Sequence, residues 1–357
     1  MREITEKRSI IGHMNPLIYD KSFEELQDWL KENGEKPFHA KQIFRWLYEK
    51  RVYDFREMSD LSVSLREKLQ QSFALQLPEE ADRQTSVDGT VKHLYRLQDG
   101  QMVESVLMVF DYGYSACLST QVGCNMGCTF CASGLLKKQR DLTAGEIVQQ
   151  ALSIQKDLDQ EGERLGNLVL MGTGEPFDNY DNVMKALSIL NHPFGLAIGA
   201  RHISISTCGL VPKIRRFARE GVQYNLAISL HASNDELRSR LMPIDRAYPL
   251  SELMSALDEY AETNSRRLTF EYLLLDGVND QEQNADELKE LLKGRNAYIN
   301  LIPYNTVKEK DYKSSSAKRT LAFYDMLKKR GVAVTLRQKK GDDIDAACGQ
   351  LRANHGL

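Results

Sequence analysis

From residue 114 onward the sequence alternates short apolar runs with amphipathic stretches, and this alternation restricts the fold more than any other feature. The apolar runs are YSACLST, NLVLMG, RHISIS, YNLAISLH, LTFEYLLL, YINLIPY and VAVTLR. Between them lie AGEIVQQALSIQK, YDNVMKALSIL, VPKIRRFARE, LSELMSALDEY and QNADELKELLK, each with apolar residues at helical spacing. A strand that is apolar along its length needs cover on both faces, and a helix with one apolar stripe supplies it. Strict alternation of the two predicts parallel βαβ units. Six or more units predict an α/β fold with a partial (β/α)6-type barrel; a doubly wound sheet is the alternative.

The preceding residues read differently. FEELQDWLKEN, HAKQIFRWLYEKR and SVSLREKLQQSF have helical periodicity. TVKHLYRLQ and QMVESVLMVF alternate like strands and are joined by Asp99-Gly100, a hairpin signal. These readings divide the chain into a poorly structured lead-in (1–20), a small helical accessory domain with a β-hairpin (21–110), a barrel (111–340) and a C-terminal segment (341–357). With 42% hydrophobic and 27% charged residues, the 357-residue chain has the composition of a soluble globular protein. No run approaches the roughly 20 apolar residues of a membrane span. The first residues are too charged for a signal peptide, so a cytoplasmic, non-membrane protein is expected. A formal net charge of -3 gives no global basic field that would advertise a nucleic-acid partner.

Residues able to do chemistry collect at one place in this pattern. Cys124, Cys128 and Cys131 follow the first strand of the alternation. Gly172-Thr-Gly-Glu-Pro176 follows the second, and Ser206-Thr-Cys-Gly209 ends the third. Ser229-Leu-His-Ala232, Asp276-Gly-Val-Asn279 and Pro303-Tyr-Asn305 close the next three. Any one of these could be a turn and no more. Six in succession at C-terminal strand ends predict a shared site, because barrel enzymes build their sites on that face.

Five of the six cysteines lie between Cys117 and Cys208, and the sixth is Cys348. Such clustering in a cytosolic protein favours metal or thiol chemistry over structural disulfides. The spacing Cys124-x3-Cys128-x2-Cys131 lets three thiolates grip one soft metal centre. Structural zinc is the competing reading, but it would want a fourth ligand, and the flanking histidines, His93 and His192, are distant in sequence. Three ligands on a four-iron cube would leave one iron open for catalysis.

This C-x3-C-x2-C motif after a first barrel strand, with Phe130 before the last cysteine, resembles the radical SAM superfamily. The resemblance implies a [4Fe-4S] cluster whose open iron binds S-adenosylmethionine and whose electron cleaves it to a 5′-deoxyadenosyl radical. It also implies an external one-electron donor such as a flavodoxin or ferredoxin. More finely, CLSTQVGCNMGCTFCASG, MGTGEP, RHISISTCG, NLAISLHASND, YINLIPYN and GDDIDAACGQL are similar to the RlmN/Cfr family of adenosine methyltransferases, over nearly the whole chain from about residue 22.

That resemblance implies the site residues. Cys124, Cys128 and Cys131 hold the cluster. Gly174, Glu175, Ser206, Ser229, Leu230, His231 and Asn305 contact S-adenosylmethionine, of which two are used per turnover. Cys348 becomes S-methylcysteine, and its methylene radical adds to adenine in a transient RNA–protein crosslink. Cys117 resolves the link through a disulfide with Cys348, and Glu104 accepts the ring proton. Cys208 is read as structural. The implied substrates are 23S rRNA and tRNA, and a monomer is expected. Gln338-Lys-Lys-Gly-Asp-Asp343 resembles the branch that methylates adenine C2, whereas the C8 branch tends to place an aromatic before the glycine. Local support for RNA binding is of three kinds: Lys41, Arg45, Lys50 and Arg51 with Phe44, Trp46 and Tyr48; Lys137, Lys138 and Arg140; and Lys339 with Lys340. Two further readings stand beside these: a non-catalytic, metal-stabilised RNA-binding protein, and a radical SAM enzyme acting on a small molecule.

Overall fold

The computed structural model describes residues 15–346 and Gln350. Three helices come first: α1 (Phe23–Glu32), α2 (His39–Phe44), continued by a π-helical turn (Arg45–Glu49), and α3 (Val63–Ser72). Ser22 starts α1 with a capping box: its hydroxyl accepts from the Glu25 N–H, and the Glu25 carboxylate accepts from the Ser22 N–H. The last residues of the expected lead-in are structured. Leu17, Ile18 and Tyr19 are buried in the core, and Asp20 accepts from the Gly145 N–H at 2.6 Å.

The remaining strands except one short pair form a single ten-stranded sheet. Its antiparallel edge comprises β1 (Glu79–Thr85), β2 (Val91–Arg96) and β3 (Met102–Phe110). β3 then pairs antiparallel with β4 (Gly113–Cys117). The hairpin at Asp99-Gly100 forms as expected, but it does not belong with the helical module. It is hydrogen-bonded into the barrel sheet, because β3 runs on through a tight turn into β4. The strand β1 was not anticipated, since EEADRQT is polar on both faces and looks like a loop.

A short pair, β5 (Gln121–Val122) and β6 (Arg140–Asp141), brackets the cysteine loop. The parallel sheet continues from β4 through β7 (Leu165–Leu170), β8 (Ile203–Thr207), β9 (Asn225–Ser229), β10 (Leu268–Leu274), β11 (Ala297–Pro303) and β12 (Val334–Leu336). Six crossovers join these seven strands, by way of α4 (Ala144–Gln160), α5 (Tyr180–Asn191), α6 (Val211–Glu220), α7 (Asp235–Leu241) with α8 (Leu250–Thr263), α9 (Glu282–Leu292) and α10 (Ala317–Lys329). The partial (β/α)6 architecture is as the alternation predicted.

Register carries the site. Val106 of β3 lies opposite Cys117, and Cys117 lies beside Val169. The row runs on through Ser204 to Asn225, and a second row on the same face, four residues further along β9, joins Ser229, Glu271 and Asn300. Side chains repeat every second residue on a strand, and paired residues share a face. Glu104, Cys117, Ser206, Ser229 and Glu271 therefore all face the same, inner side of the sheet, although Glu104 sits on the antiparallel extension.

Candidate active site

Two glycines let the loop after β7 lie against the segment that leads into the cysteines. A Cβ on Gly172 would come 2.7 Å from the Leu118 carbonyl, and one on Gly174 would come 2.7 Å from Gln121 Cβ. Gly174 also has φ +112°, a conformation that disfavours side chains. Ser119 locks the crossing, donating to the Glu104 carbonyl at 2.6 Å and accepting from the Thr173 N–H at 2.9 Å. Gln150 reaches up from α4; its amide oxygen accepts from Ser105 and from the Ser119 N–H, while its nitrogen donates to the Ser119 carbonyl.

The cysteine loop is pinned at both ends. The Cys124 N–H donates to Leu136 O at 3.0 Å and the Thr129 N–H to Leu241 O at 2.9 Å, while the Tyr304 hydroxyl donates to Phe130 O at 3.1 Å. Burial pushes the Cys124 thiol up to about 11 and Cys128 higher still, each reinforced by the neighbouring thiols. A bound metal centre would remove that penalty by holding both as thiolates. Among the described residues the three sulfurs do not all fall within 4.8 Å of one another. That is wider than the roughly 3.8 Å sulfur–sulfur edge that Zn–S bonds of 2.3 Å would impose. The set suits a larger cluster better than a single ion. Glu80, His93 and Asp157 do gather that closely, but Arg83 already bridges the two carboxylates.

In front of the thiols opens a cavity. Gly174, Glu175, Ser206, Ser229 and His231 line it. Glu175 is fully buried; burial pushes its carboxyl up, opposed by N–H donors from Cys208 at 2.8 Å and Phe177 at 2.9 Å. It thereby ties the β7 loop to the end of β8, through the backbone of Cys208, which also lines the cavity. Ser206 and Ser229 hydroxyls lie 3.3 Å apart. His231 has φ +56° and accepts from the Leu273 N–H at Nδ1, which leaves its proton on Nε2. Burial, aided by the charge of Arg238, lowers it to about 3, so it is a neutral imidazole.

Leu230 and Asn305 sit differently from these five. The Leu230 side chain is fully buried in the main core and does not line this cavity; only its backbone is placed near it, donating to Glu271 O. Asn305 lines the adjacent cavity, together with Cys117. The two cavities share Met171, Ile302 and Arg337. Glu104 is buried in a third, bordered by Lys92, Asp343, Ile344 and Gln350. Ile344 and Ala346 pack against Val106, Met108 and Cys117. Cys348 lies outside the described residues.

Sequence reading missed three residues. Glu271 lines the thiol cavity, its carboxyl pushed up by burial, opposed by nearby Arg337, and accepts from Asn300 at 2.9 Å. Its signal was legible: one acid in the middle of the apolar run LTFEYLLL. Arg337 gave only a weak signal at the end of a strand. Arg238 gave none. Fully buried, it pairs with Asp245 at 3.0 Å and donates to Cys208 O at 2.6 Å, beneath the ends of β8 and β9.

Residues 118–291 match the profile of the radical SAM superfamily, and residues 17–75 match a ribosomal RNA large subunit methyltransferase N-terminal domain. A protein of Streptococcus thermophilus (strain CNRZ 1066), named "Probable dual-specificity RNA methyltransferase RlmN", is 56% identical over 344 residues, covering 95% of this chain and 88% of the relative. A Bacillus licheniformis protein of the same name is 56% identical over 338 residues, covering 95% and 94%. The chain belongs to the RlmN family. It is a radical SAM RNA methyltransferase. A crystal structure of a radical SAM methyltransferase from Sphaerobacter thermophilus superposes with a TM-score of 0.91 at 43% identity, covering 95% of this chain and all of that one. The RlmN family uses a [4Fe-4S] cluster and S-adenosylmethionine, and the three thiols with the lined cavity before them fit that pair.

The basic groups divide sharply against the expectation that they serve RNA. Phe44 and Tyr48 are buried in the small core. Arg45 pairs with Glu49, Arg51 with Asp159, and Lys50 lies over Trp46. Lys138 pairs with Asp141 and Asp178, and Arg140 with Asp99 and Glu146. Only Lys339 and Lys340 border a cavity of the site.

Proposed function

We propose that this enzyme methylates C2 of an adenosine in 23S rRNA and in tRNA, using Cys348 as methyl carrier, Cys117 as resolving thiol and Glu104 as proton acceptor, with two S-adenosylmethionine molecules consumed per turnover. One observation carries this reading: Cys117 and Glu104 share the inner face of β3 and β4, and Ile344 and Ala346, just before Cys348, pack on that same face. When bound, the cluster and S-adenosylmethionine supply the methyl group and the radical that withdraws hydrogen.

The chain supplies the rest. Gly174, Glu175, Ser206, Ser229 and His231 shape the cofactor cavity and exclude water from it. Asp343 and Gly341 dock the C-terminal segment on the β1–β2 turn, through Ser86, Val87 and Asp88. Ala346 and Gln350, which flank Cys348 in the sequence, are both buried. Glu104, buried and 3.8 Å from Lys92, accepts the proton from the ring carbon. Cys117, buried against Met171 and Ala346, is kept from bulk oxidants until Cys348 carries its load. The target base must be turned out of its stack to enter this face.

The test is mass spectrometry of 23S rRNA and tRNA after reaction with reconstituted enzyme. 2-Methyladenosine is expected. 8-Methyladenosine, or no methylated adenosine from an enzyme that cleaves S-adenosylmethionine, would refute the assignment. Cys117→Ala is expected to accumulate an RNA–protein adduct visible on a denaturing gel, and Cys348→Ala to form neither adduct nor product.

A further inference from the structure

The inner face of β3 reads Glu104, Val106, Met108, Phe110, and it ends in an aromatic pair at the molecular surface. The ring of Tyr112 stacks on Phe110 with centroids 4.9 Å apart and planes 7° from parallel. Tyr112 is 71% exposed. Lys340 sits over the Phe110 ring at 5.4 Å, and the charge of Arg337 acts on the Tyr112 hydroxyl.

Turn chemistry does not account for Tyr112. Phe110 pairs with Gly113, so Asp111 and Tyr112 form a two-residue hairpin connection, a place that favours Gly, Asn and Asp. Core packing does not account for it either, given its exposure. What the pair does adjoin is the cavity of Cys117, whose rim is Met108, Arg337, Gln338, Lys339 and Lys340. Phe110 lies four residues beyond Val106, the partner of Cys117. At about 3.3 Å per residue that is about 13 Å from the level of Cys117. Aromatic faces beside cations hold single-stranded nucleic acid by stacking and by neutralising phosphates.

We propose that the Phe110–Tyr112 pair, with Lys340 behind it, is a stacking platform for a nucleobase flanking the adenosine turned into the site. The proposal rests on the RNA-methylation reading above and adds where the neighbouring single strand is held. Arg337 and Lys339 face the intervening phosphates. Any base can stack there, which suits an enzyme with substrates of more than one sequence.

The experiment uses the reconstituted full chain and a fluorescent single-stranded RNA containing the target adenosine, with binding followed by anisotropy at fixed salt. Tyr112→Ala is expected to weaken binding on the order of tenfold, the loss typical of one stacked base, while Tyr112→Phe retains affinity because the ring remains. RNAs made abasic at single flanking positions identify the partner. At one of them the wild type and Tyr112→Ala should bind alike, since the stack is already lost. Unchanged affinity in Tyr112→Ala overturns the platform, as does a loss that persists on every abasic RNA. Product analysis on the same wild-type preparation separates the two readings. Methylated RNA with an indifferent Tyr112 refutes the platform alone. A Tyr112-dependent affinity without methylation refutes the function and leaves the platform. A wild type without RNA affinity refutes both.

Discussion

Gly174 shows how little freedom single positions have around the cofactor cavity. Its φ of +112° and the 2.7 Å approach of Gln121 Cβ act together. Gly174→Ala is expected to cost about 1–3 kcal/mol in stability and to weaken S-adenosylmethionine binding, read by thermal melting and calorimetric titration. Wild-type values for both would show that the loop can shift without consequence. Arg238 is constrained by charge instead of space. Arg238→Met leaves Asp245 buried without its cation, and a loss of about 3–5 kcal/mol is expected in denaturant unfolding. A loss below about 1 kcal/mol would mean that the pair holds nothing together. His231, neutral with its proton fixed on Nε2, offers the cavity a donor that does not change with physiological pH.

At the level of elements, the C-terminal segment is held to the β1–β2 turn by carboxylates. Partial burial works against ionisation of Asp88, but hydrogen bonds from Thr90, Gly341 and Ser86 outweigh it and hold the group at about 2. Hydrogen bonds from Ser86 and Val87 lower Asp343 as well. Both folded values lie below the ordinary carboxylate value near 3.9. Their contribution is therefore complete above that range and is lost as pH falls through it toward about 2. Hydrogen exchange of residues 341–346 is expected to stay slow from pH 8 to about 5 and to quicken, after correction for intrinsic rates, below about 4. Quickening near pH 6.5 would point to a histidine instead. The helix α4 plays a similar joining role by a different means, since Gln150 satisfies Ser105 and Ser119 together and so ties the hairpin extension to the first barrel loop.

The whole molecule is organised by one apolar core that runs from Leu17 and Tyr48 of the helical module through α4 into the barrel. Every residue of α4 from Ala144 to Gln155 is buried, one side against the barrel and the other under the module. Residues 76–357 expressed alone would present that second side to water, and an apolar patch of this kind drives association. The truncated protein is expected to be insoluble, and the full chain to melt in a single transition. A soluble, folded truncation, or two separate transitions, would show the module to be independent. The continuous sheet has a functional consequence as well: because β3 and β4 belong to the same sheet as the barrel strands, the inner face extends past the cofactor cavity to Cys117, Glu104 and the surface.

The sequence by itself determined the seven parallel strands, the six crossovers, the cysteine triplet and the GTGEP turn. Each depends on residues a few positions apart, where periodicity and spacing carry the physics directly. It also determined Cys117, Glu104 and Cys348 as candidates, through motif resemblance. Tertiary structure decided which strand ends meet. It moved Asn305 to the cavity of Cys117, turned Leu230 into the core and buried Arg238 from a helix whose sequence looks solvated. It also joined the hairpin to the barrel and turned Arg51, Lys138 and Arg140 to partly buried ion pairs. These outcomes depend on sheet register and on partners 108 residues away, such as Asp159 for Arg51, which no local pattern encodes.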